Sequence, residues 1–213
     1  MSRPLLVTDC DEVLLHMVRH FRDWLDAEHE IEFELAGNPF VESMTRRGSD
    51  APLEEKEVWA LLGGFFDTQM GVQVPVEGAV EAMAEIGQDA DVVVLTNLTD
   101  ERNEARKAQL KALGIDVPVF TNQGPKGEAL RQIVAEHGAS RAVFVDDLAV
   151  HHKSAAKEAP DVYRLHFCGE SAIAPHIPCA HDAGHAHARL DNWAEALPWV
   201  LDTLHGDRKT GES

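Results

Sequence analysis

Three short apolar runs of this chain each end in a pair of polar residues. The runs cover residues 5–7, 92–95 and 142–145. A short apolar run between polar residues is typical of a buried strand, and ligands bind at the carboxyl ends of the strands in an open parallel sheet. If the three strands are neighbours, the polar pairs that follow them meet at one edge of the sheet. These pairs are Asp9 and Asp11, Thr96 and Asn97, and Asp146 and Asp147.

The chain from Ala79 onward alternates between helical and strand-like patterns. Helices are predicted over 79–86, 99–113, 126–137, 151–159 and 191–204, and strands over 91–97, 117–120, 142–147 and 162–167. Such alternation favours a parallel sheet with helices on both of its faces. We therefore predict an α/β fold with a Rossmann-like core.

Residues 16–75 interrupt this alternation. Apolar side chains at helical spacing predict helices over 16–35 and 52–69, separated by a break at 37–39. We expect a small helical cap, inserted after the first strand and lying above the edge where that strand ends. The predicted division is then a core of 1–15 and 76–205, a cap of 16–75, and a disordered tail of 206–213.

The composition limits the partners that the chain can have. The 19 Lys and Arg against 37 Asp and Glu give a formal net charge of -18, which argues against binding to a nucleic acid backbone. No apolar run reaches the roughly 20 residues that span a bilayer. Three scattered cysteines do not form a disulfide framework, and residues 1–4 leave no room for a signal peptide before the first strand. A cytoplasmic protein is therefore expected.

The polar pairs and Lys126, at the start of a predicted helix, form a coherent chemical set. Carboxylates crowded at one edge repel one another unless a cation lies between them, and oxygen-only ligation suits Mg²⁺. One carboxylate can attack a phosphoryl group while a second donates and then accepts a proton. A Thr hydroxyl and a Lys ammonium can neutralise the charge that develops on the phosphoryl oxygens.

This set resembles the haloacid dehalogenase superfamily, and specifically its phosphatase branch. The run Asp9-Cys10-Asp11-Glu12-Val13 is similar to the family's first motif, which is aspartate, any residue, aspartate, any residue, and threonine or valine. Thr96-Asn97 is similar to the second motif, Lys126 to the third, and Asp146-Asp147 to the fourth. All four occur in the family's order, and they extend from residue 9 to residue 147.

The resemblance implies a role for each matched residue. Asp9 would be the nucleophile and a metal ligand. Asp11 would be the general acid and base, and its backbone carbonyl would also bind the metal. Asp147 would be the acidic metal ligand of the fourth motif, with Asp146 beside it as a residue behind the ligands or as an alternate ligand. The substrate phosphate would be bound by Thr96, Asn97 and Lys126.

The implied activity is Mg²⁺-dependent hydrolysis of a phosphate monoester through an aspartyl-phosphate. A second carboxyl at Asp11 favours the phosphatase branch, because the dehalogenating branch needs no leaving-group acid there. The substrate is expected to be a small phosphorylated metabolite rather than a nucleic acid or a membrane. A nucleotidase or phosphomutase of the same fold, and a catalytically idle binding protein, remain alternatives. The oligomeric state stays open.

Several further residues allow two interpretations. The ligand-rich segment, which contains Cys179, His181, His185 and His187, is either a Zn²⁺ site or a solvated loop, and we favour the loop.

Three shorter features lie nearer the proposed site or in the cap. Arg46 and Arg47 either contact a second anionic group of the substrate or form an exposed pair, and we favour the exposed pair. For His151 and His152, a rim position and a surface position are equally compatible with the pattern. Cys10 is expected to be a small buried residue that points away from the site.

Overall fold

The computed structural model describes residues 3–35 and 39–206. Its strands are β1 (Leu5–Thr8), β2 (Ile31–Phe33), β3 (Met44–Arg46), β4 (Asp91–Thr96), β5 (Val119–Thr121), β6 (Ala142–Asp146), β7 (Tyr163–His166) and β8 (Ala188–Arg189). Its α-helices are α1 (Val18–His29), α2 (Glu55–Gln69), α3 (Ala79–Asp89), α4 (Asn103–Ala112), α5 (Gly127–His137), α6 (Ala149–Glu158) and α7 (Trp193–His205).

Six of these strands form one parallel sheet in the order β5-β4-β1-β6-β7-β8. The first strand lies in the middle, and Thr8 is in register with Val94 of β4 and Val145 of β6. The carboxyl ends of β4, β1 and β6 therefore lie side by side at one edge. The predicted parallel sheet is confirmed, and its strand order brings the three polar pairs to a common edge.

Helices cover both faces of this sheet. Leu6 of β1 packs in one apolar cluster with side chains of α3, α4 and α7. Leu5 and Val7 point to the opposite face and pack with side chains of α5 and α6. Successive side chains of a strand alternate between faces, so a strand that is apolar at every position is one that is covered on both sides. The predicted α/β class is confirmed.

The segment between β1 and α3 contains more than helices. The predicted helix over 16–35 is wrong beyond His29, because Glu30 adopts a left-handed conformation with φ of 53°. The chain then forms β2, which pairs with β3 in an antiparallel hairpin. The inserted segment thus contains a hairpin in addition to its two α-helices. The break predicted at 37–39 falls mostly on residues outside the described ranges.

Aromatic rings fill the interior of this inserted segment. The Phe21 ring lies 5.4 Å from Phe65 of α2 and 6.0 Å from Phe33 of β2, measured between ring centroids. The same apolar cluster includes Leu98 and Ile173, which belong to loops at the carboxyl edge of the sheet. The inserted segment therefore packs directly over the edge at which β1 ends.

Smaller differences concern the ends of elements. The helix predicted to stop at Gly87 continues to Asp89, with Gly87 inside it. The two-residue strand β8 is not predicted, because so short a segment carries no periodic pattern. The predicted tail lies outside the described residues except for Gly206. Within the described ranges, no helix combines the length and apolarity needed to cross a bilayer.

Candidate active site

The three polar pairs lie around the carboxyl ends of the central strands. Asp9 directly follows β1, Thr96 is the last residue of β4, and Asp146 is the last residue of β6. One carboxylate oxygen from each of Asp9, Asp146 and Asp147 lies within 4.8 Å of the others. We call these three residues the strand-end cluster.

Lys126 lies between two members of the strand-end cluster. Its side chain is fully buried, and its Nζ is 2.8 Å from Oδ1 of Asp9 and 2.7 Å from Oδ2 of Asp146. Burial alone would lower the pKa of this lysine, but the carboxylates of Asp146 and Asp9 hold its pKa above the ordinary value. One buried positive charge is thus shared by two carboxylates.

The remaining negative charge of the cluster is not balanced. Burial raises the pKa of Asp9 to about 7, although Lys126 opposes the shift. Burial, and then the neighbouring charges of Asp146 and Asp9, raise the pKa of Asp147 well above its usual value. The pKa of Asp146 is lowered in spite of burial, chiefly because Lys126 lies beside it. A further positive charge beside Asp9 and Asp147 would therefore stabilise the cluster.

The donor atoms of the cluster fit a hard divalent cation. All three side chains offer carboxylate oxygens, the ligands that Mg²⁺ prefers in proteins. Both oxygens of Asp146 are already engaged, since Oδ2 binds Lys126 and Oδ1 accepts a hydrogen bond of 2.9 Å from the Leu148 backbone N–H. Asp9 and Asp147 are then the carboxylates that would hold the cation. The assignment of Asp147 rather than Asp146 as the ligand stays a prediction that this geometry favours.

Asp11 is held by a separate set of donors. Nη2 of Arg106 donates to both of its oxygens at 3.0 Å, and Nε2 of Gln73 donates to Oδ1 at 2.8 Å. The Arg106 side chain on α4 is fully buried, and its Nη1 donates to Gln73 Oε1 at 3.0 Å and to Gln109 Oε1 at 2.9 Å. The second carboxylate of the first motif therefore has a buried cation of its own.

Thr96 and Asn97 lie at the end of β4, close to the turn that leads to Lys126. The backbone carbonyl of Thr96 accepts a hydrogen bond of 3.0 Å from Asn122 N–H. The side chain of Asn97 accepts from Asn122 Nδ2 at 2.9 Å and donates to the Gly124 carbonyl at 3.0 Å. These bonds fix the turn before Lys126. The contact of Thr96 and Asn97 with the substrate phosphate stays a prediction.

Two buried histidines hold the backbone of the fourth motif. Nε2 of His152 lies 2.9 Å from the Asp146 carbonyl, and Nε2 of His166 lies 2.7 Å from the Asp147 carbonyl. Nδ1 of His166 accepts from the Ala180 N–H at 3.0 Å, so the proton of the neutral ring is on Nε2 and is donated to Asp147. Burial lowers the pKa of His152 to about 4, which keeps that ring neutral as well.

The sequence does not indicate the supporting roles of these residues. A surface position for His151 and His152 is wrong, since both rings are buried. Nothing in the pattern of α4 distinguishes the buried Arg106 from its partly exposed neighbour Lys107, because both are basic residues of a polar helix. His166 ends a strand without any motif around it. These residues become visible only when the packing of the helices on the sheet is known.

The other candidate residues lie away from this edge or are already paired. Arg46 is bonded to Glu57, and Arg47 to Asp26, all on the exposed surface of the inserted segment. Cys10 is buried in the core, as expected, and burial raises the pKa of its thiol.

The ligand-rich segment does not form a compact set of metal ligands. In the described part of the chain, groups of three or more potential ligands with close donor atoms occur at the strand-end cluster and at Glu12, His16 and Glu170. Neither group contains any of the four residues of the segment, which are Cys179, His181, His185 and His187.

Comparisons with known proteins agree with this architecture. No protein-family model matches the chain, and no curated protein sequence matches it. Among solved structures, a haloacid dehalogenase-like family hydrolase from Streptococcus pneumoniae superposes with a TM-score of 0.66 at 10% identity, covering 93% of this chain and 98% of that one. A HAD-superfamily hydrolase of subfamily IA from Geobacter sulfurreducens gives 0.59 at 18% identity, with coverages of 93% and 96%.

Other similar structures differ in the reaction that their names state. An L-2-haloacid dehalogenase gives a TM-score of 0.59 at 10% identity, covering 94% of this chain and 100% of that one. Further matches are named as phosphatases and as a β-phosphoglucomutase. Likeness at such low identity establishes the fold and not the reaction. The strand order, the inserted segment and these superpositions together show that the chain has the fold of the haloacid dehalogenase-like hydrolases.

Proposed function

We propose that this protein is a phosphatase that hydrolyses the phosphate monoester of a small metabolite, with Asp9 as nucleophile and Mg²⁺ as cofactor. The observation that carries the proposal is the separate support of the two carboxylates in the first motif. Lys126 binds Asp9 together with Asp146, whereas Arg106 binds Asp11. Two carboxylates two residues apart are thus held by different cations, as two different chemical roles require.

The environment of Asp9 suits a nucleophile. Its Oδ1 accepts from the Cys10 N–H at 2.7 Å and from Lys126 at 2.8 Å, so the orientation of the carboxylate is fixed. A fixed carboxylate loses little freedom when its oxygen attacks phosphorus and the bond from phosphorus to the leaving oxygen breaks. The buried ammonium of Lys126 stabilises the ionised form of Asp9, and it is placed to attract the phosphoryl oxygens as charge develops on them.

The environment of Asp11 suits proton transfer. In the first step its carboxyl would donate a proton to the leaving alkoxide, and in the second it would take a proton from the water that attacks the aspartyl-phosphate. Its side chain is partly exposed, at 17%, whereas Arg106 behind it is fully buried. Asp11 is therefore held by its donors while part of its side chain stays in contact with solvent.

Mg²⁺, held by Asp9 and Asp147 with the backbone carbonyl of Asp11, would neutralise the substrate phosphate and polarise the phosphoryl group. The chain's own contribution is to orient these carboxylates. His152 and His166 hold the backbone of the fourth motif from behind, by donating to the carbonyls of Asp146 and Asp147.

The principal competitor is dehalogenation of a 2-haloacid on the same fold. A dehalogenase also uses an aspartate nucleophile, but it has no alkoxide leaving group to protonate. The presence of Asp11, and its bonds to Arg106 and Gln73, favour the phosphatase. A phosphomutase would differ only in the acceptor that takes the phosphoryl group from Asp9.

A panel of phosphorylated metabolites, assayed for released phosphate with Mg²⁺ and with a chelator, tests the proposal. We expect Mg²⁺-dependent release from at least one member, with loss of about 10³-fold or more in the Asp9→Asn variant. Asp202→Asn, on the exposed side of α7, is the matched control and should keep the full rate. Chloride release from 2-chloro acids without phosphate release from any member would contradict the proposal.

A further inference from the structure

A second group of buried ionisable side chains lies outside the strand-end cluster. Glu12 follows the first motif and is 2% exposed, His16 precedes α1 and is 6% exposed, and Glu170 follows β7 and is 5% exposed. One potential ligand atom from each of the three lies within 4.8 Å of the others. We call these residues the hinge cluster, because Glu12 and His16 lie where the chain leaves the core for the inserted segment.

Two polar atoms of the hinge cluster are buried without a hydrogen-bond partner. Oε1 of Glu12 accepts from the N–H groups of Met17 and Val18 at 2.8 and 2.6 Å, but its Oε2 has no partner. Nδ1 of His16 also has no hydrogen bond, and it lies 3.5 Å from Oε2 of Glu170. A buried polar atom that is left unpaired is costly, so a ligand that satisfies both atoms would be stabilising.

The charge of the hinge cluster is also incompletely balanced. Its two carboxylates face one cation, Arg19, whose Nε donates to Oε2 of Glu170 at 2.5 Å and whose side chain is partly exposed. His16 adds no positive charge, because burial and then Arg19 lower its pKa. The neutral ring leaves Nδ1 free to donate a lone pair to a cation.

We propose that Glu12, His16 and Glu170 bind a divalent transition-metal cation of the Zn²⁺ type, separate from the oxygen-only cluster at the strand ends. One imidazole nitrogen with two carboxylate oxygens is a donor set that suits such ions better than it suits Mg²⁺. The neighbouring bonds orient the ligands, since the N–H groups of Met17 and Val18 hold Glu12 and the N–H of Ala172 holds Oε1 of Glu170. A bound ion would tie the start of α1 to the loop after β7.

The competing explanation is a proton. Burial raises the pKa of Glu12 to about 7, and a proton on its free oxygen would satisfy one orphaned atom without any metal. The two explanations differ in what they predict for Arg19. A metal competes with the Arg19 guanidinium for Glu170, whereas a protonated Glu12 leaves that pair intact.

Calorimetric titration of the full chain with Zn²⁺, in excess Mg²⁺ to fill the strand-end cluster, tests the site. We expect one Zn²⁺ per chain, with affinity weakened about tenfold or more in His16→Gln and Glu12→Gln. Arg19→Gln should bind Zn²⁺ as tightly as the wild type or more tightly. Asp147→Asn and the double variant His181→Gln/His185→Gln should retain the site, since they alter the strand-end cluster and the ligand-rich segment respectively.

X-ray absorption of the Zn²⁺-loaded wild-type protein provides a second measurement that requires no variant to fold. We expect a coordination shell with one imidazole, carboxylate oxygens and no sulfur. A shell with sulfur, with several imidazoles or with oxygen alone would overturn the proposal. So would undiminished Zn²⁺ binding in folded His16→Gln, or binding that only Asp147→Asn abolishes. These readouts do not depend on phosphatase activity.

Discussion

The strand-end cluster and the hinge cluster differ in how their negative charge is balanced. In the first, the fully buried Lys126 binds two carboxylates, and two histidines support the backbone behind them. In the second, the partly exposed Arg19 binds one carboxylate, and two buried atoms stay unpaired. At the strand ends, a buried lysine thus balances part of the negative charge before any ligand binds. The hinge cluster, in contrast, needs a bound cation or a proton to satisfy its unpaired atoms.

Removing Lys126, the buried cation of the strand-end cluster, should have the largest effect on the free energy of unfolding. In Lys126→Met, Asp9 and Asp146 lose their shared cation in a fully buried position. Breaking a buried ion pair in this way costs about 3–5 kcal/mol of unfolding free energy. Urea unfolding of Lys126→Met and of Lys157→Met, an exposed control, measures the difference. A loss below about 1 kcal/mol for Lys126→Met would show that the cluster is not held by this lysine.

The next largest effect is expected at Arg106. Arg106→Met removes the guanidinium that holds Asp11 and leaves Gln73 and Gln109 without its donors. We expect a loss of about 2–3 kcal/mol in stability, because Asp11 is partly exposed, and a fall of about tenfold or more in kcat/KM for phosphate release.

The matched control for Arg106 is the next residue on the same helix. Lys107→Met removes an exposed cation that pairs with Glu104 in solvent. It should leave both stability and kcat/KM close to the wild-type values. If Arg106→Met and Lys107→Met had the same kinetics, the proposed role of Arg106 in positioning Asp11 would be wrong.

The pH dependence of the free energy of unfolding should reveal the raised pKa of Asp9. In metal-free protein the folded-state pKa of Asp9, about 7, lies above that of an unfolded aspartate. Its contribution to stability is therefore present at low pH and is lost as pH rises through about 7. We expect the free energy of unfolding, measured with a chelator, to fall between about pH 4 and 7 by more in the wild type than in Asp9→Asn, in which the same histidines titrate.

Two comparisons make this test specific. Asp9→Asn should show a smaller fall over the same pH range, because its amide does not titrate. Mg²⁺ should reduce the fall in the wild type, since it binds the ionised carboxylates and displaces their protons. Metal-free wild-type stability that does not fall relative to that of Asp9→Asn over this range would contradict the electrostatics described for the strand-end cluster.

The smallest effect is expected on the exposed surface of the inserted segment. Arg46→Gln and Arg47→Gln each remove a cation that pairs with an exposed carboxylate in water. Such pairs contribute little, so kcat/KM on the best phosphate substrate should be unchanged. A selective rise in KM would instead show that one of these arginines contacts a second anionic group of the substrate.

Much of the core is predictable from sequence because its strands are covered on both faces. Runs such as 92–95 are apolar at every position, and each ends where the sheet ends, so the polar residue that follows marks the site. The pairing of β1 with β6, which the sequence leaves as a condition, then brings Asp9 and Asp146 together. Local pattern and global fold agree here, which is typical of a foldable sequence.

The short strand β2, the burial of Arg106 and the hinge cluster depend instead on tertiary packing. The strand Ile31–Phe33 is too short to reveal a period of two, and its apolar residues extend the helical spacing of α1. The burial of Arg106 depends on how α4 meets Gln73, a residue 33 positions away. The hinge cluster joins Glu12 to Glu170 across most of the chain. No local pattern carries such contacts.

The central claim is that Asp9 accepts the phosphoryl group. The most direct measurement is mass spectrometry of protein that is mixed with an aryl phosphate and Mg²⁺ and quenched in acid within the first turnover. The account predicts one phosphoryl group on the peptide that contains Asp9, and neither this adduct nor phosphate release in Asp9→Asn. Phosphate release at the wild-type rate by folded Asp9→Asn, with no phosphoryl group on that peptide in the wild type, would contradict it.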